Sequence, residues 1–418
     1  MKTNAIRLYG ANDLRLENFE LPPIKADELL VKIVTDSACM STYKAVTQGA
    51  KHKRVPNNVA ENPVIVGHEF CGEIIEVGAK LAGKFKAGQK FTMQPGMKGT
   101  MDAAGYSFPH LGGNMTYGII PACYFAQNGV LLYEGAGYFN ASLAEPLSCV
   151  IGATKANYHT RQGEYVHDMD IKNGGNMAIL GGCGPMGFAH IDYILHRERT
   201  PKVLIVTDIK QDNLDAAAAA LSPKMAEKLG IKLVYFNPSA SQNAVEEMMA
   251  LTGGHGYDDV FVFYPVAALV EQADAMLAYD GCLNFFAGPQ DTGFTAPFNF
   301  YNVHYNATHV VGTNAGNIDD MKDALAMAAA GKINPALLVS HIGGLDAASE
   351  TILNLPNIAG FKKLIYNEIS LPLTAIKDFE KMSAQNPLFG TLAEICARHN
   401  DLWNVEAETY LLNNAPRL

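Results

Sequence analysis

No C-x-x-C pair occurs in the 418 residues, and the seven cysteines (39, 71, 123, 149, 183, 282 and 396) are scattered and odd in number. That spacing argues against a disulfide framework and for a reducing compartment, the cytoplasm. No apolar run approaches the roughly 18–20 residues that a membrane span needs. Charge interrupts the N-terminal stretch MKTNAIRLYGANDLRLE too often for a secretory signal. Basic residues are in deficit: 32 Lys and Arg against 42 Asp and Glu leave a formal charge of −10, the reverse of the basic face that nucleic acid requires. There is no internal repeat, and the one low-complexity tract, AAAAAL (216–221), reads as a good helix former. What remains is a globular enzyme profile, 48% hydrophobic and 18% charged, long enough for roughly two to three domains with cores of their own.

Two kinds of pattern follow one another along the chain. Up to about residue 145, short alternating segments are punctuated by Gly and Pro: AIRLYG, LRLENFELP, ELLVKIVTDSAC, FCGEIIEVG, QKFTMQPG and MTYGIIPACYFA. They predict a small, barrel-like β domain. LAEPLSCVIGATKANYH then takes up helical spacing. From Asn176 the order is strand, helix, strand: NMAILGG with PMGFAHIDYILHRE, KVLIVTD with an Ala-rich helix to Leu229, and KLVYFN with AVEEMMALTG. DDVFVFYP, a helix around Ala267–Leu277, GCLNFFAG and HVVGT complete six apolar strands. Such alternation predicts an α/β doubly wound parallel sheet covered on both faces. Beyond Ile318 come an amphipathic helix, strand-like LLVSHI and KKLIY, and a mostly helical tail.

Two sets of residues carry chemistry. Cys39, His68–Glu69 and Glu145–Pro146 supply the thiolate, imidazole and carboxylate donors of a catalytic zinc, which takes three protein ligands and keeps one position open. Gly182-Cys-Gly184-Pro185-Met186-Gly187 follows a buried strand and opens a helix, where backbone can approach a pyrophosphate at a helix N-terminus. Asp208, 21 residues beyond Gly187, ends the second strand and suits a ribose 2′-hydroxyl; it also suits a helix cap. Lys210 beside it tolerates a 2′-phosphate, so NAD(H) is favoured and NADP(H) remains open. Together the two sets describe metal-assisted hydride transfer.

The order of Cys39, Gly67-His68-Glu69, Glu145-Pro146-Leu147-Ser148, the glycine turn and Asp208 resembles the zinc-dependent medium-chain dehydrogenase family over nearly the whole chain. The Glu-Pro-Leu-Ser form is similar to its sorbitol-type branch. GYSFP (105–109), EPLSCVIGA (145–153), ANYH (156–159), LNFFAGPQD (283–291), NFYNVHY (299–305) and the C-terminal extension resemble members that act on a ketose phosphate. The resemblance implies a Rossmann dinucleotide-binding domain (158–317) inserted in a discontinuous GroES-like catalytic domain (1–157 and 318–418). It also implies zinc ligation by Cys39 and His68, with Glu69 and Glu145 supplying or exchanging the oxygen ligand. Ser41 would relay the substrate proton, Glu69 would share in catalysis, and the subunits would form a homodimer or homotetramer.

Two departures from the family qualify this. Its C-G-[ST]-D is here Cys39-Met40-Ser41-Thr42, so Thr42 or another group must orient the zinc histidine in place of the lost acid. Residues 93–116 contain no cysteine, so one metal per subunit is expected, without a structural zinc. A sugar-phosphate substrate needs positive charge near the metal, and Lys44, Lys51, His52, Lys53 and Arg54 lie between Cys39 and His68. Lys44, Lys51 and Lys53 are the chosen phosphate residues, with Asn157, His159, His304 and Tyr305 as further polar candidates. Two other readings stay open: a dehydrogenase of a free sugar alcohol, and a zinc-free nucleotide-binding regulatory or structural protein of the same fold.

Overall fold

The structure, a computed structural model, describes residues 1–161 and 163–418. It divides into two compact units, Pro146–Asn334 and Met1–Glu145 with Pro335–Leu418. Among the described residues, no helix is long and apolar enough to cross a membrane.

In Pro146–Asn334 the six apolar runs form strands β1 (Asn176–Leu180), β2 (Val203–Thr207), β3 (Lys232–Phe236), β4 (Tyr257–Val262), β5 (Leu277–Phe285) and β6 (His309–Val311). They pair in parallel in the order β3-β2-β1-β4-β5-β6, the doubly wound arrangement whose order reverses beside the first strand. Every residue of β1, β2 and β4 is buried, which explains why β1 and β2 read as nearly continuous apolar runs rather than alternating ones, while β4 also buries Asp258 and Asp259. Helix α1 (Pro185–His196) follows β1 directly, with Gly184 at its N-cap and Pro185 in its first turn. The single Ala-rich helix expected to reach Leu229 is two helices, Gln211–Ala220 and Pro223–Lys228. Pro223 has no N–H to continue the ladder, and Ser222 caps the new start by accepting from Met225 N.

In the other unit, the predicted N-terminal strands form at Lys2–Gly10, Asp13–Glu20, Leu29–Ser37, Phe70–Val77, Lys90–Met93 and Tyr117–Ile120. MTYGIIPACYFA stays extended only to Ile120; past Pro121 it turns into the short helix Cys123–Ala126. Both ends of the chain build one eight-stranded sheet. Its order is Thr374–Ala375, Val339–Gly344, Lys362–Tyr366, Leu29–Ser37, Phe70–Val77, Lys90–Met93 and Val130–Tyr133, with Tyr117–Ile120 also on Leu29–Ser37. Lys362–Tyr366 runs antiparallel to Leu29–Ser37, setting Leu364 opposite Ser37 and Tyr366 opposite Thr35.

The C-terminal extension packs helices Pro387–Arg398 and Val405–Asn414 around Trp403, the chain's single tryptophan, in a core with Phe379, Phe389, Ile342 and Leu364. Trp403 Nε1 donates to Tyr366 Oη (2.9 Å), which donates to Glu408 Oε1 (2.7 Å). Glu408 also accepts from the backbone of Tyr138 and Phe139. The tail therefore locks strand Lys362–Tyr366 through its last residue.

Candidate active site

Cys39 ends the segment after strand Leu29–Ser37 and is the N-cap of helix Met40–Gln48. His68 and Glu69 immediately precede strand Phe70–Val77, which lies against Leu29–Ser37. Ser37 N donates to Glu69 O (2.9 Å) and so fixes the two segments side by side. The Cys39, His68 and Glu69 donor atoms consequently lie within 4.8 Å of one another, an S, N, O set of the kind that holds a catalytic zinc. His68 and Glu69 are buried and Cys39 is half-buried. Ser41, in the first turn of the helix, has its Oγ 3.0 Å from Cys39 Sγ and 3.2 Å from His68 Nε2.

Two hydroxyls meet the other nitrogen of His68. Thr42 Oγ1 and Tyr106 Oη each lie 3.1 Å from Nδ1. Thr42 thus occupies the position where the family has an acid, and Tyr106 joins it from GYSFP. No metal motif marks Tyr106; the one sequence signal at this position is its place in GYSFP, a segment that resembles members acting on a ketose phosphate.

Lys362 is the residue that sequence reasoning missed. Its Nζ lies 2.6 and 2.7 Å from the two Glu69 oxygens, with both side chains buried. Ser37 Oγ also donates to Glu69, and Asp36 accepts from the Glu69 amide (3.0 Å) and from Asn114 Nδ2 (3.0 Å). Burial raises the Glu69 carboxyl, but the Lys362 ammonium and His68 outweigh it and hold Glu69 below its ordinary value. Glu145, buried in the first turn of helix Ala144–Ala156, is pushed up to about 7 by burial, against the attraction of His68. Burial and Glu69 push the Cys39 thiol up as well. The ionised Glu69 thus disfavours ionisation of Cys39 and Glu145, with one ammonium, Lys362, beside them. A divalent cation at these donors would relieve that repulsion, so the residues fit a zinc ion.

The basic cluster is split by the fold. Lys44 lies half-buried on helix Met40–Gln48, while Lys51 and Lys53 are exposed. His52 and Arg54 are turned onto Tyr106 instead, the His52 ring stacked at 5.7 Å and the guanidinium 5.5 Å from the ring centroid. Two hollows of about 640 and 710 Å3 lie elsewhere in this unit, both bordered by His341, and none of Cys39, His68, Glu69 or Glu145 lines them.

In the other unit the glycine turn links β1 to α1. Gly182 N donates to Thr207 O at the end of β2 (2.8 Å). A Cβ on Gly187 would come within 2.4 Å of Gly182 O, and one on Gly182 within 2.7 Å of Ile179 and Val206 side chains. Glycine is required at both places by close packing. A Cβ on Gly184 would meet only the Tyr264 hydroxyl, at 3.3 Å. Pro185 and Met186, partly exposed, complete the mouth of the helix. Asp208 is buried and accepts from Lys210 N (2.9 Å) and Asn213 Nδ2 (3.3 Å); it does not cap helix Gln211–Ala220, whose N-cap is Lys210. Cys183 and Cys71 are buried, and burial raises both thiols. Asn157 and His159 are tied into a buried network with Asp259, Asp280 and Asn284, while His304 and Tyr305 lie exposed on helix Phe300–Tyr305.

A glycine turn on a doubly wound sheet and a Cys-His-Glu cluster on a second, discontinuous unit define a metal-dependent dehydrogenase. The model of the alcohol dehydrogenase GroES-like domain matches residues 25–129 and that of the zinc-binding dehydrogenase matches 202–330. With near-full-length relatives about half identical, the chain belongs to the zinc-dependent medium-chain dehydrogenase family and is an oxidoreductase. It is 50% identical to mannitol-1-phosphate 5-dehydrogenase of Aliivibrio fischeri, over 98% of this chain and 97% of that one. It is 48% identical to L-sorbose 1-phosphate reductase of Klebsiella pneumoniae, over 99% and 98%. Among solved structures, 2R,3R-butanediol dehydrogenase of Bacillus subtilis superposes with a TM-score of 0.69 at 21% identity, covering 87% of this chain and 99% of that one. That likeness speaks to the fold alone.

Proposed function

We propose that this chain interconverts a ketose phosphate and a polyol phosphate by zinc-dependent hydride transfer, with L-sorbose 1-phosphate and D-glucitol 6-phosphate as the first pair to test. The observation that carries the reading is the near-full-length likeness, at about half identity, to two proteins both named for a 1-phosphorylated sugar or polyol. The convergent Cys39, His68 and Glu69 donors support the zinc-dependent form over a zinc-free nucleotide-binding protein of the same fold.

Cys39, His68 and a carboxylate would hold the zinc. Both Glu69 oxygens are engaged by Lys362, so we take Glu145 as the carboxylate ligand and Glu69 as the group that Lys362 holds beside it for exchange. When bound, zinc supplies the Lewis acidity that polarises a ketone or stabilises an alkoxide, and a nicotinamide supplies or accepts the hydride. Thr42 and Tyr106 hold the His68 ring by its Nδ1, which leaves Nε2 as the donating nitrogen. Ser41 Oγ, beside Cys39 Sγ and His68 Nε2, gives or takes the substrate hydroxyl proton. The backbone at Gly182, Gly184 and Gly187 receives the dinucleotide pyrophosphate, with Pro185 and Met186 bordering it. Asp208 faces the ribose, which favours NAD(H) over NADP(H). Lys44, Lys51 and Lys53 add positive potential for an anionic substrate.

The test is a substrate panel with the zinc-loaded protein and NADH or NADPH: L-sorbose 1-phosphate, D-fructose 6-phosphate, L-sorbose and D-fructose. The reading requires kcat/KM for one phosphorylated ketose to exceed that of its free sugar by at least about tenfold. Equal or better use of the free sugars would make the protein a polyol dehydrogenase.

A further inference from the structure

We infer that Arg54 receives the substrate phosphate, an inference that rests on the ketose-phosphate reading above. The chain has eight arginines. Arg7, Arg15, Arg161, Arg197, Arg199, Arg398 and Arg417 each pair with a carboxylate. Arg54 is the exception. Among the described residues its guanidinium has no carboxylate or hydrogen-bond partner, although the chain carries ten more acids than bases.

That unpaired guanidinium is held close to the metal donors. It sits over the Tyr106 ring at 5.5 Å, and the hydroxyl of the same ring lies 3.1 Å from His68 Nδ1. Its backbone is fixed on both sides: Ser107 Oγ donates to Arg54 O (2.7 Å), and Arg54 N donates to His52 Nδ1 (3.3 Å). Gly96 leaves room for the head group, since a Cβ there would stand 3.3 Å from Nη1. The cation–π contact orients the fork without using its N–H donors. Five N–H groups in a planar fork, pre-oriented and unspent, suit two phosphate oxygens at once, which a lysine point charge cannot match. Lys51 and Lys53, exposed on either side of His52 in the chain, raise the local positive potential. Binding energy drawn from the phosphate at Arg54 would orient the reacting carbonyl one aromatic ring away.

The experiment compares wild type, Arg54→Gln, Arg54→Lys and Tyr106→Phe as full-length, zinc-loaded protein. It measures kcat/KM for L-sorbose 1-phosphate and L-sorbose, inhibition of L-sorbose reduction by inorganic phosphate, zinc content, NADH binding and the thermal melt. Arg54→Gln should lower the ratio of phosphorylated to free substrate efficiency by on the order of 10²-fold, mainly through KM. It should also weaken inhibition by inorganic phosphate by roughly tenfold or more. Arg54→Lys should recover part of both effects, and Tyr106→Phe should depress both substrates together, because it acts on His68. An unchanged ratio in Arg54→Gln, or equal losses on the two substrates, overturns the assignment; the latter makes Arg54 a positioning residue for Tyr106. If Arg54→Gln fails to melt cooperatively, the ratio in Arg54→Lys decides in the same way. A wild type with no preference for the phosphorylated ketose would sink the ketose-phosphate reading instead, and loss of phosphate inhibition in Arg54→Gln would still support an anion site at Arg54.

Discussion

The metal cluster and the glycine turn are assembled in opposite ways. The turn is six consecutive residues where one strand passes into the first turn of one helix, and its geometry follows from local rules: close packing at Gly182 and Gly187, and an N-cap at Gly184 with proline behind it. The metal site draws on separated places: strand pairing sets 36–37, 69–70 and 362–364 side by side, and the Thr42 and Tyr106 side chains reach His68 from elsewhere. Lys362 and Glu69 are 293 residues apart in the chain. A local site is robust to changes elsewhere and fragile to a single atom inside it. A site built from distant pieces depends on groups that carry no motif of their own.

The largest effect should come from the ligands. Cys39→Ser or His68→Ala should abolish bound zinc and lower turnover by on the order of 10³-fold or more, with the melt little changed. Metal analysis alongside kinetics checks this, and wild-type turnover in either variant would show that the ligand set is wrong. Lys362→Met comes next. It strands a buried Glu69 carboxylate and should cost about 3 kcal/mol of stability, read from denaturant unfolding. Arg at the same position should recover most of it. A Lys362→Met protein as stable as wild type would mean that this ion pair does not hold the cluster together.

The contrast can be sharpened from the other side. Gly187→Val forces a side chain into Gly182 O and should weaken NADH binding roughly 10- to 100-fold while zinc content stays intact, whereas Gly184→Ala should be mild. Titration of nucleotide fluorescence distinguishes them, and equal effects would mean the turn is less tightly packed than described. The smallest effect is expected for Thr42→Val. Metal-bound histidines without their outer partner lose roughly tenfold or more in affinity, but Tyr106 reaches the same nitrogen. Zinc affinity, measured by chelator competition, should therefore fall by only about threefold in Thr42→Val and by clearly more once Tyr106→Phe is added. Strict additivity of the two changes would deny that they share His68.

Much of the molecule was legible as sequence because its signals are local. The apolar segments of the parallel sheet, the glycine spacing, the proline-marked turns and the amphipathic helix after Ile318 each reflect a constraint acting within a few residues. Cys39, His68 and Glu69, whose donor atoms the fold gathers, carry donor chemistry in their own side chains. Thr42 was foreseeable as a substitute because the missing acid left a role to fill. The break at Ser222-Pro223 was misread because alanine content outweighed a single proline.

What only the tertiary structure decided depends on register and packing. Lys362 sits in KKLIY, a segment that reads as a plain strand; its ammonium becomes a partner of Glu69 because Leu364 pairs with Ser37 across the sheet. Trp403 and Glu408 lock that strand through Tyr366, giving the C-terminal extension a structural connection that composition could not reveal. Arg54 is one basic residue among five until the fold turns it onto Tyr106 and leaves Lys51 and Lys53 in solvent. Sequence determines which chemical groups exist and which local shapes they favour. Which buried charge faces which is set by contacts between residues far apart in the chain, where the desolvation of one group is offset by another that no local pattern announces.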